Sequence, residues 1–390
     1  MRRWIATALI ALAPAAGSAD VLVRSAVLKV ERPQPTPLVR TATPRGDEGF
    51  QGARVGLADN ATTGRFVGHN FENTEVTTTP DEALAALDAL IEGGVRFVVT
   101  LAEADDLLAL ADHAAGRDVV LLNAAARDDR LRMEDCRANV LHVTPNRAML
   151  ADGLAQYLVW KQWTDWFVIA GSNPPDRLMG DAYRRAATKF GARIVEDREF
   201  EDTGGARRSD TGHVLVQRQI PVFTQRARAH HVVVVADESE VFGVYIPYRT
   251  WDPRPVAGDA GLKTMNWHPN HESWGATQMQ RRFEREAGRV MTELDYDAWA
   301  AMRVIGEAVT RTNSDDVATL RDYILSADFQ LGAFKGQPLS FRPWDNQLRQ
   351  AILLADGDTV VSVSPQDEFL HQRTQLDTLG FDEPNTACRF

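Results

Sequence analysis

Short, continuously apolar segments alternate with amphipathic helical segments along most of this chain, and the alternation restricts the fold more than any other feature. Residues 95–100, 119–123 and 231–236 have the length and composition of buried strands. Residues 81–92 and 296–311 instead place their apolar side chains at helical spacing. Strands of this kind, separated by such helices, are typical of parallel sheets covered on both faces. The sequence therefore predicts an α/β fold.

The alternation occurs in two successive series within the 390 residues, which is more chain than one compact domain usually holds. The first series ends with the strand at 119–123, and the second begins with a helix at 147–160. Residues 47–58 are expected to form the first helix, and residues 60–64 the turn that ends it. Near the C-terminus, two apolar runs around Asp356-Gly357-Asp358 indicate an antiparallel hairpin.

Residues 1–19 have the pattern of a signal peptide. Arg2 and Arg3 precede an apolar run that ends near Pro14, and Gly17-Ser18-Ala19 places small residues where a signal peptidase cleaves. The run is shorter than the ~18 apolar residues of a membrane span, and no later stretch approaches that length. We therefore expect cleavage near Ala19, export from the cytoplasm and no membrane-spanning segment.

Composition and motifs argue against several classes of function. A formal net charge of −11 is unfavourable for binding nucleic acid. The chain has no Gly-x-Ser-x-Gly elbow, P-loop, Gly-x-Gly-x-x-Gly or His-Glu-x-x-His motif, so we expect no enzyme and no cofactor. His268-Pro269-Asn270-His271 is interpreted as a polar hinge loop rather than a metal site, because Pro269 disrupts the required helix. An enzyme and a metal carrier remain as lesser alternatives.

The chain has two cysteines, Cys136 and Cys388, and neither lies in a Cys-x-x-Cys pair. In an oxidising compartment, such a pair predicts one long-range disulfide. This bond would fasten the C-terminal tail to the first half of the fold. The alternative is two free, buried thiols.

Several segments resemble the type I periplasmic binding proteins, in particular the branched-chain amino-acid group. Residues Glu48-Gly49-Phe50-Gln51-Gly52-Ala53 resemble the first helix of that group, and residues 141–146 resemble its first crossing between lobes. Residues 163–169 resemble the strand that opens the second lobe, and residues 296–299 resemble the helix after the return crossing. A narrower resemblance is to the substrate-binding proteins of PQQ-dependent alcohol dehydrogenase systems. It is carried by residues 128–139, by residues 149–153 and by the C-terminal Cys388-Arg389.

This resemblance implies a two-lobed fold with three crossings at the hinge. The expected first lobe comprises residues 20–143 and 268–334, the second lobe comprises 148–262 and 339–364, and a tail follows at 365–390. It also implies a receptor that delivers a small molecule to the permease of an ABC transporter, in a pathway of alcohol oxidation. The alternative is a non-transport accessory or scaffold protein for a periplasmic dehydrogenase, which requires an exposed apolar patch and no closed pocket.

The expected ligand site lies between the lobes, beyond the carboxyl ends of the parallel strands. The candidate residues at those ends are Thr100, Glu103, Asn123 and Ala124 on the first lobe and Ser172, Asn173 and Glu238 on the second. Two aromatic residues near the crossings, Trp267 and Trp344, are candidates for an apolar wall. Since Thr100 is the single hydroxyl residue in the loop where amino-acid binders receive a carboxylate, the sequence predicts a small ligand other than an amino acid.

Overall fold

The computed structural model describes residues 21–33, 45–202 and 215–390 of the chain. The predicted signal peptide and its cleavage site lie outside these residues. The strands, in chain order, are β1 (Val21–Val30), β2 (His69–Thr78), β3 (Phe97–Leu101), β4 (Val120–Asn123), β5 (Val140–His142), β6 (Asp165–Gly171), β7 (Arg193–Phe200), β8 (Val232–Ala236), β9 (Val256–Gly258), β10 (Lys263–Met265), β11 (Ser340–Phe341), β12 (Leu348–Arg349), β13 (Ile352–Asp356) and β14 (Thr359–Ser364). The α-helices are α1 (Phe50–Gly64), α2 (Ala83–Glu92), α3 (Ala104–His113), α4 (Arg147–Trp160), α5 (Pro174–Phe190), α6 (Val216–Thr224), α7 (Ile246–Arg249), α8 (Ala276–Ala287), α9 (Glu293–Thr312) and α10 (Val317–Leu325).

The first lobe is built on a five-stranded parallel sheet with the order β2-β1-β3-β4-β5. Helices α2 and α3 cover one face, and α1, α8, α9 and α10 cover the other. Every residue of β3 and β4 is buried, because both faces of these strands are covered. The predicted α/β fold is confirmed.

The second lobe contains a parallel sheet with the order β7-β6-β8-β9. Helices α4 and α5 pack on one face of it, and α6 and α7 on the other. Strand β10 pairs with β13, and β13 pairs with β14, to form a small antiparallel sheet in the same lobe. The β13–β14 pair is the predicted hairpin, in which Leu353 lies opposite Val363.

Helix α1 extends further than the sequence predicts. The expected turn at 60–64 forms the end of the helix instead, because α9 supplies tertiary partners for it. Asn60 is buried, and its Nδ2 donates to the carbonyl oxygen of Met302 over 2.7 Å. The two helices also approach closely at Gly52, where an added Cβ would lie 1.8 Å from the carbonyl oxygen of Asp295. This contact explains why a glycine occurs in the motif at 48–53.

The chain crosses between the lobes three times. The first crossing follows β5, since Val143 packs in the core of the first lobe and Met149 in that of the second. The second crossing follows β10, and Trp267 is already in the core of the first lobe. The third lies between Leu348, in the first core, and Ile352, in the second.

The third crossing therefore comes later than the expected lobe bounds imply, since those bounds place it between residues 334 and 339. Residues 340–349 form a short hairpin, β11 with β12, that remains with the first lobe. Gln347 extends the edge of the first sheet by bridging to His142 on β5. This pairing joins residues more than 200 positions apart, so no local pattern in the sequence indicates it.

The C-terminal tail connects both lobes and ends in the predicted disulfide, Cys136–Cys388, with the Cα atoms 5.5 Å apart. On the second lobe, the Gly380 N–H donates to Oδ2 of Asp152 over 2.7 Å. Asp377 is buried in the tail, and its Oδ1 accepts hydrogen bonds from Arg342 and Arg349. The tail and the disulfide thus form a covalent link between the lobes in addition to the three crossings.

Across the described ranges 21–33, 45–202 and 215–390, none of the helices combines the length and the apolar character needed to cross a bilayer.

Candidate ligand-binding cleft

A cavity of about 800 Å³ lies between the two lobes. The first lobe contributes the loops that follow β1, β3 and β4 and the start of α9. The second lobe contributes the start of α5, the loops after β8 and β9, and strand β10. The cavity therefore lies at the carboxyl ends of parallel strands, as is usual for ligand sites in α/β folds.

Arg147, the first residue of α4, joins the two walls of the cavity. Its Nη1 donates to Oδ2 of Asp128 on the first lobe over 2.8 Å. Its Nε and Nη2 donate to Oε2 of Glu238 on the second lobe over 2.9 and 2.7 Å. Burial alone would lower the pKa of Arg147, but the two carboxylates raise it above its ordinary value. The guanidinium is thus a fixed cation that links the lobes near the hinge.

The cations on the first-lobe wall are each paired with a carboxylate. Arg32 donates to Asp106 over 2.7 Å, and Arg127 donates to Glu293 over 3.1 Å. Arg130 pairs with Asp105. A ligand carboxylate would have to compete with these protein carboxylates for the same guanidinium groups.

The second-lobe wall carries carboxylates in partly buried positions. Asp237 accepts the backbone N–H groups of Val241 and Phe242 over 2.8 and 2.9 Å, and burial raises its pKa to about 6. Asp259 accepts the N–H of Asp237 over 2.7 Å. Burial, and then the neighbouring Glu238 carboxylate, raise the pKa of Asp259 to about 7. The loops after β8 and β9 therefore concentrate negative charge at the cavity.

Of the nine candidate residues, the structure places Glu103 and Glu238 in the cavity wall. Glu103 precedes α3 and lies 3.4 Å from Arg32, with most of its side chain exposed. Glu238 is held by Arg147. Both follow the carboxyl ends of central strands, which is where ligands usually contact a parallel sheet. We call this tendency the strand-end rule.

The other first-lobe candidates support the strand ends rather than line the cavity. Thr100 is fully buried, and its hydroxyl donates to the Leu122 carbonyl oxygen over 3.3 Å. Asn123 closes its own loop, because its Nδ2 donates to the Ala126 carbonyl oxygen and its Oδ1 accepts the Ala126 N–H, both over 2.8 Å. Ala124 is fully buried. These residues shape the loop that carries the cavity wall at Ala126.

Ser172 and Asn173 lie between β6 and α5. The Ser172 hydroxyl oxygen accepts the Asp202 N–H over 2.9 Å, and Asn173 Nδ2 donates to Oδ2 of Asp202 over 3.2 Å. Both side chains therefore tie the start of α5 to the end of β7. The cavity wall itself begins one residue later, at Pro174.

The two tryptophans expected as cleft walls are in the interior instead. Trp267 is 1% exposed, stacks on Tyr296 with ring centroids 4.9 Å apart, and donates from Nε1 to Gln280 over 3.1 Å. Trp344 is buried under the tail, and its Nε1 donates to the Phe381 carbonyl oxygen over 3.2 Å. Their position near crossings gave no information on side-chain direction, and neither residue lines the cavity.

Sequence reasoning missed Arg147 and Asp259. Arg147 directly follows the predicted first crossing. A charged side chain at a crossing between lobes is close to the cleft, and this position could have marked Arg147 as a candidate. Asp259 follows β9, a strand of three residues. Such a short strand is difficult to recognise from its sequence, and the strand-end rule was therefore not applied to it.

Comparison with known proteins gives a match to one family. Residues 48–210 match the sequence model described as periplasmic binding protein. No curated protein sequence matches the chain.

Solved structures resemble the whole fold. An ABC transporter substrate-binding protein from Sphaerobacter thermophilus matches with a TM-score of 0.71 and 17% identity, over 92% of this chain and 100% of that one. A branched-chain amino-acid ABC transporter periplasmic ligand-binding protein from Burkholderia xenovorans matches with a TM-score of 0.70 and 16% identity, over 87% and 95% of the chains. A solute-binding protein of an ABC transporter from R. palustris, in complex with benzoate, matches with a TM-score of 0.65 and 12% identity, over 94% and 99%. The match over residues 48–210 and the likeness to these solved structures show that the chain has the fold of the type I periplasmic binding proteins.

Proposed function

We propose that this protein is a periplasmic receptor that captures a small molecule between its lobes and delivers it to the permease of an ABC transporter. The observation that carries the proposal is the cavity of about 800 Å³ between two lobes joined at a hinge. A ligand that contacts both walls stabilises the closed arrangement over the open one, which is how such proteins signal occupancy. The folds of known substrate-binding proteins support the same role.

The ligand we propose is not an amino acid. The cations of the first-lobe wall are engaged by protein carboxylates, and the hydroxyl of Thr100 is used within the sheet. Helix α5 begins at the cavity with Pro174 and Pro175, which have no backbone N–H to donate to an anion. Among the lining residues, Thr264 supplies the one hydroxyl. These features disfavour a ligand carboxylate.

We further propose that the transported molecule belongs to a pathway of PQQ-dependent alcohol oxidation. The support for this is the resemblance of residues 128–139, of residues 149–153 and of the C-terminal Cys388-Arg389 to the substrate-binding proteins of such systems. Deleting the gene should then impair growth on alcohols and leave growth on amino acids unchanged. Normal growth on every alcohol tested would contradict this link.

The receptor function is tested on protein purified from its native periplasm without denaturation. Native mass spectrometry should detect a bound small molecule, and small-angle X-ray scattering should show a more compact particle before the ligand is removed than after. A protein whose scattering profile is the same with and without its bound molecule would contradict capture by lobe closure.

Leu178→Trp is expected to weaken binding of the co-purified molecule by about ten-fold or more, equivalent to ~1.4 kcal/mol. Leu178 lies on α5 in the cavity wall and is 46% exposed, so a larger side chain there fills the cavity without disturbing a core. Leu84→Trp is the matched control, because Leu84 is 38% exposed on α2, outside the cavity wall. Calorimetric titration should show a loss for the first variant and wild-type affinity for the second. Equal affinities for both variants would place the ligand elsewhere.

A second candidate function, an accessory protein of a dehydrogenase, is favoured by one observation. Tyr248 is 87% exposed and Trp251 is 61% exposed, and both follow the cavity loop after β8. Aromatic side chains are enriched at protein interfaces. If this function is right, Tyr248→Ala combined with Trp251→Ala should abolish co-purification with the dehydrogenase without changing ligand affinity.

A further inference from the structure

We propose that the second-lobe wall of the cleft binds a positively charged ammonium group, so that the ligand is an organic cation with an apolar body. This inference names the ligand class and therefore rests on the proposed receptor function. The wall in question is formed by Asp237, Glu238, Glu240 and Asp259, with Arg147 and Lys263 as its cations.

The charges of this wall are not balanced within the protein. Its four carboxylates face two cations, whereas the first-lobe wall has four carboxylates and four cations. The positive charge of Arg147 is divided between Glu238 and Asp128 of the first lobe. Arg147 therefore only partly neutralises the carboxylates of the second-lobe wall. Lys263 is exposed and forms no ion pair with a described residue, although its charge lowers the pKa of Asp259. A ligand cation would supply the missing charge.

Further acidic and polar groups are buried behind this wall. Asp176 is fully buried, and its Oδ1 accepts the Ser239 N–H over 2.7 Å. Burial raises the pKa of its carboxyl group. The buried hydroxyl of Tyr183 lies near Asp259 and Glu238 and has no hydrogen-bond partner in the described structure. The acidic loops are therefore backed by an additional carboxyl group.

The rest of the cavity favours an organic cation over a metal ion. In the part of the chain that the structure describes, His, Cys, Asp and Glu side chains form no group of three able to hold a metal ion. Pro174, Pro175, Leu178, Met179 and Leu150 line the cavity beside the acidic loops. Ligand pockets commonly combine such an apolar surface with a few placed polar groups. An ammonium group on an apolar body matches this arrangement.

The proposal has a pH dependence whose sign follows from Asp259. The groups that face its carboxylate are Glu238, Asp237, Lys263 and the Tyr183 hydroxyl. Its pKa of about 7 means that the group is largely protonated below neutrality. A ligand cation binds the ionised carboxylate and must displace a proton at low pH, so affinity should rise as the pH increases from about 6 to about 8.

The test uses three probes with the same ring and different head groups: benzylamine as the cation, benzyl alcohol as the neutral compound and benzoate as the anion. Calorimetric titration should show benzylamine binding at least about ten-fold more tightly than the other two. Asp259→Asn removes the charge and keeps an oxygen that accepts the Asp237 N–H, so the fold should persist. This variant should lose about ten-fold in benzylamine affinity and most of the pH dependence.

Asp252→Asn is the matched control, because it makes the same change of charge at an exposed residue outside the cavity wall. We expect it to change benzylamine affinity by less than about two-fold. Failure of benzylamine to bind, or equal losses in the two variants, would overturn the proposal. If benzyl alcohol or benzoate binds best and closes the lobes, the cation class is refuted but the receptor function stands. Absence of closure with the co-purified molecule refutes the receptor function instead.

Discussion

Replacement of both Cys136 and Cys388 by serine is expected to lower the free energy of unfolding by about 5 kcal/mol. The disulfide closes a loop with a sequence separation of 252 residues. A cross-link of this span removes a large amount of conformational entropy from the unfolded chain, and the loss of that restriction favours unfolding. Guanidinium denaturation of the oxidised wild type and the double variant, followed by circular dichroism, would measure the difference.

The wild type kept in reductant is the control for this experiment, since its unfolding should match that of the double serine variant. The tail should also become more accessible to protease in both samples, because the end of the tail is then held by hydrogen bonds and packing alone. Equal unfolding midpoints with and without the cross-link would contradict the stabilising role. Two titratable thiols in the unreduced periplasmic protein would contradict the bond itself.

Trp267→Ala is expected to lower the free energy of unfolding by about 3–5 kcal/mol while leaving ligand affinity within about two-fold of wild type. The ring is buried against Tyr296, and its Nε1 donates to the buried side chain of Gln280. Removing the ring leaves a cavity in the core of the first lobe and an amide oxygen without its donor. Chemical denaturation and a calorimetric titration of the same preparation would separate the two effects.

Trp251→Ala is the comparison for this variant, because Trp251 is 61% exposed and its loss should change stability by less than about 0.5 kcal/mol. If Trp267→Ala instead weakened ligand binding more than ten-fold and left stability unchanged, the ring would have to contact the ligand. The structure places it in the core, so we expect the stability effect.

The regular elements of the fold were largely predictable from local pattern. Residues 97–101, 120–123 and 232–236 are strands that are buried at every position. Nearly continuous apolar runs of this length are typical of strands in a parallel sheet covered on both faces. The end of α1 was not predictable. Its polar and small residues favour a turn, and the hydrogen bond from Asn60 to Met302 overrides that preference from a helix far away in the chain.

The cleft was predictable as a location but only partly as a set of side chains. Selecting residues that follow the carboxyl ends of strands identified two residues of the cavity wall, Glu103 and Glu238. It also selected Thr100 and Asn123, whose side chains turn into the sheet or close their own loop. Position after a strand restricts a residue to one edge of the sheet, but consecutive side chains there point in different directions.

The sequence by itself determined the alternation of strands and helices, because that alternation depends on local periodicity. The resemblance to a known family implied the two lobes, and the count of two cysteines favoured one disulfide over two free thiols. Only the tertiary structure decided where the third crossing lies, which side chains reach the cleft and which charges balance there. Those features depend on contacts between residues far apart in the chain, such as Arg147 with Glu238 and Gln347 with His142. Local propensity carries no information about such contacts, since their energies arise only when the lobes have packed.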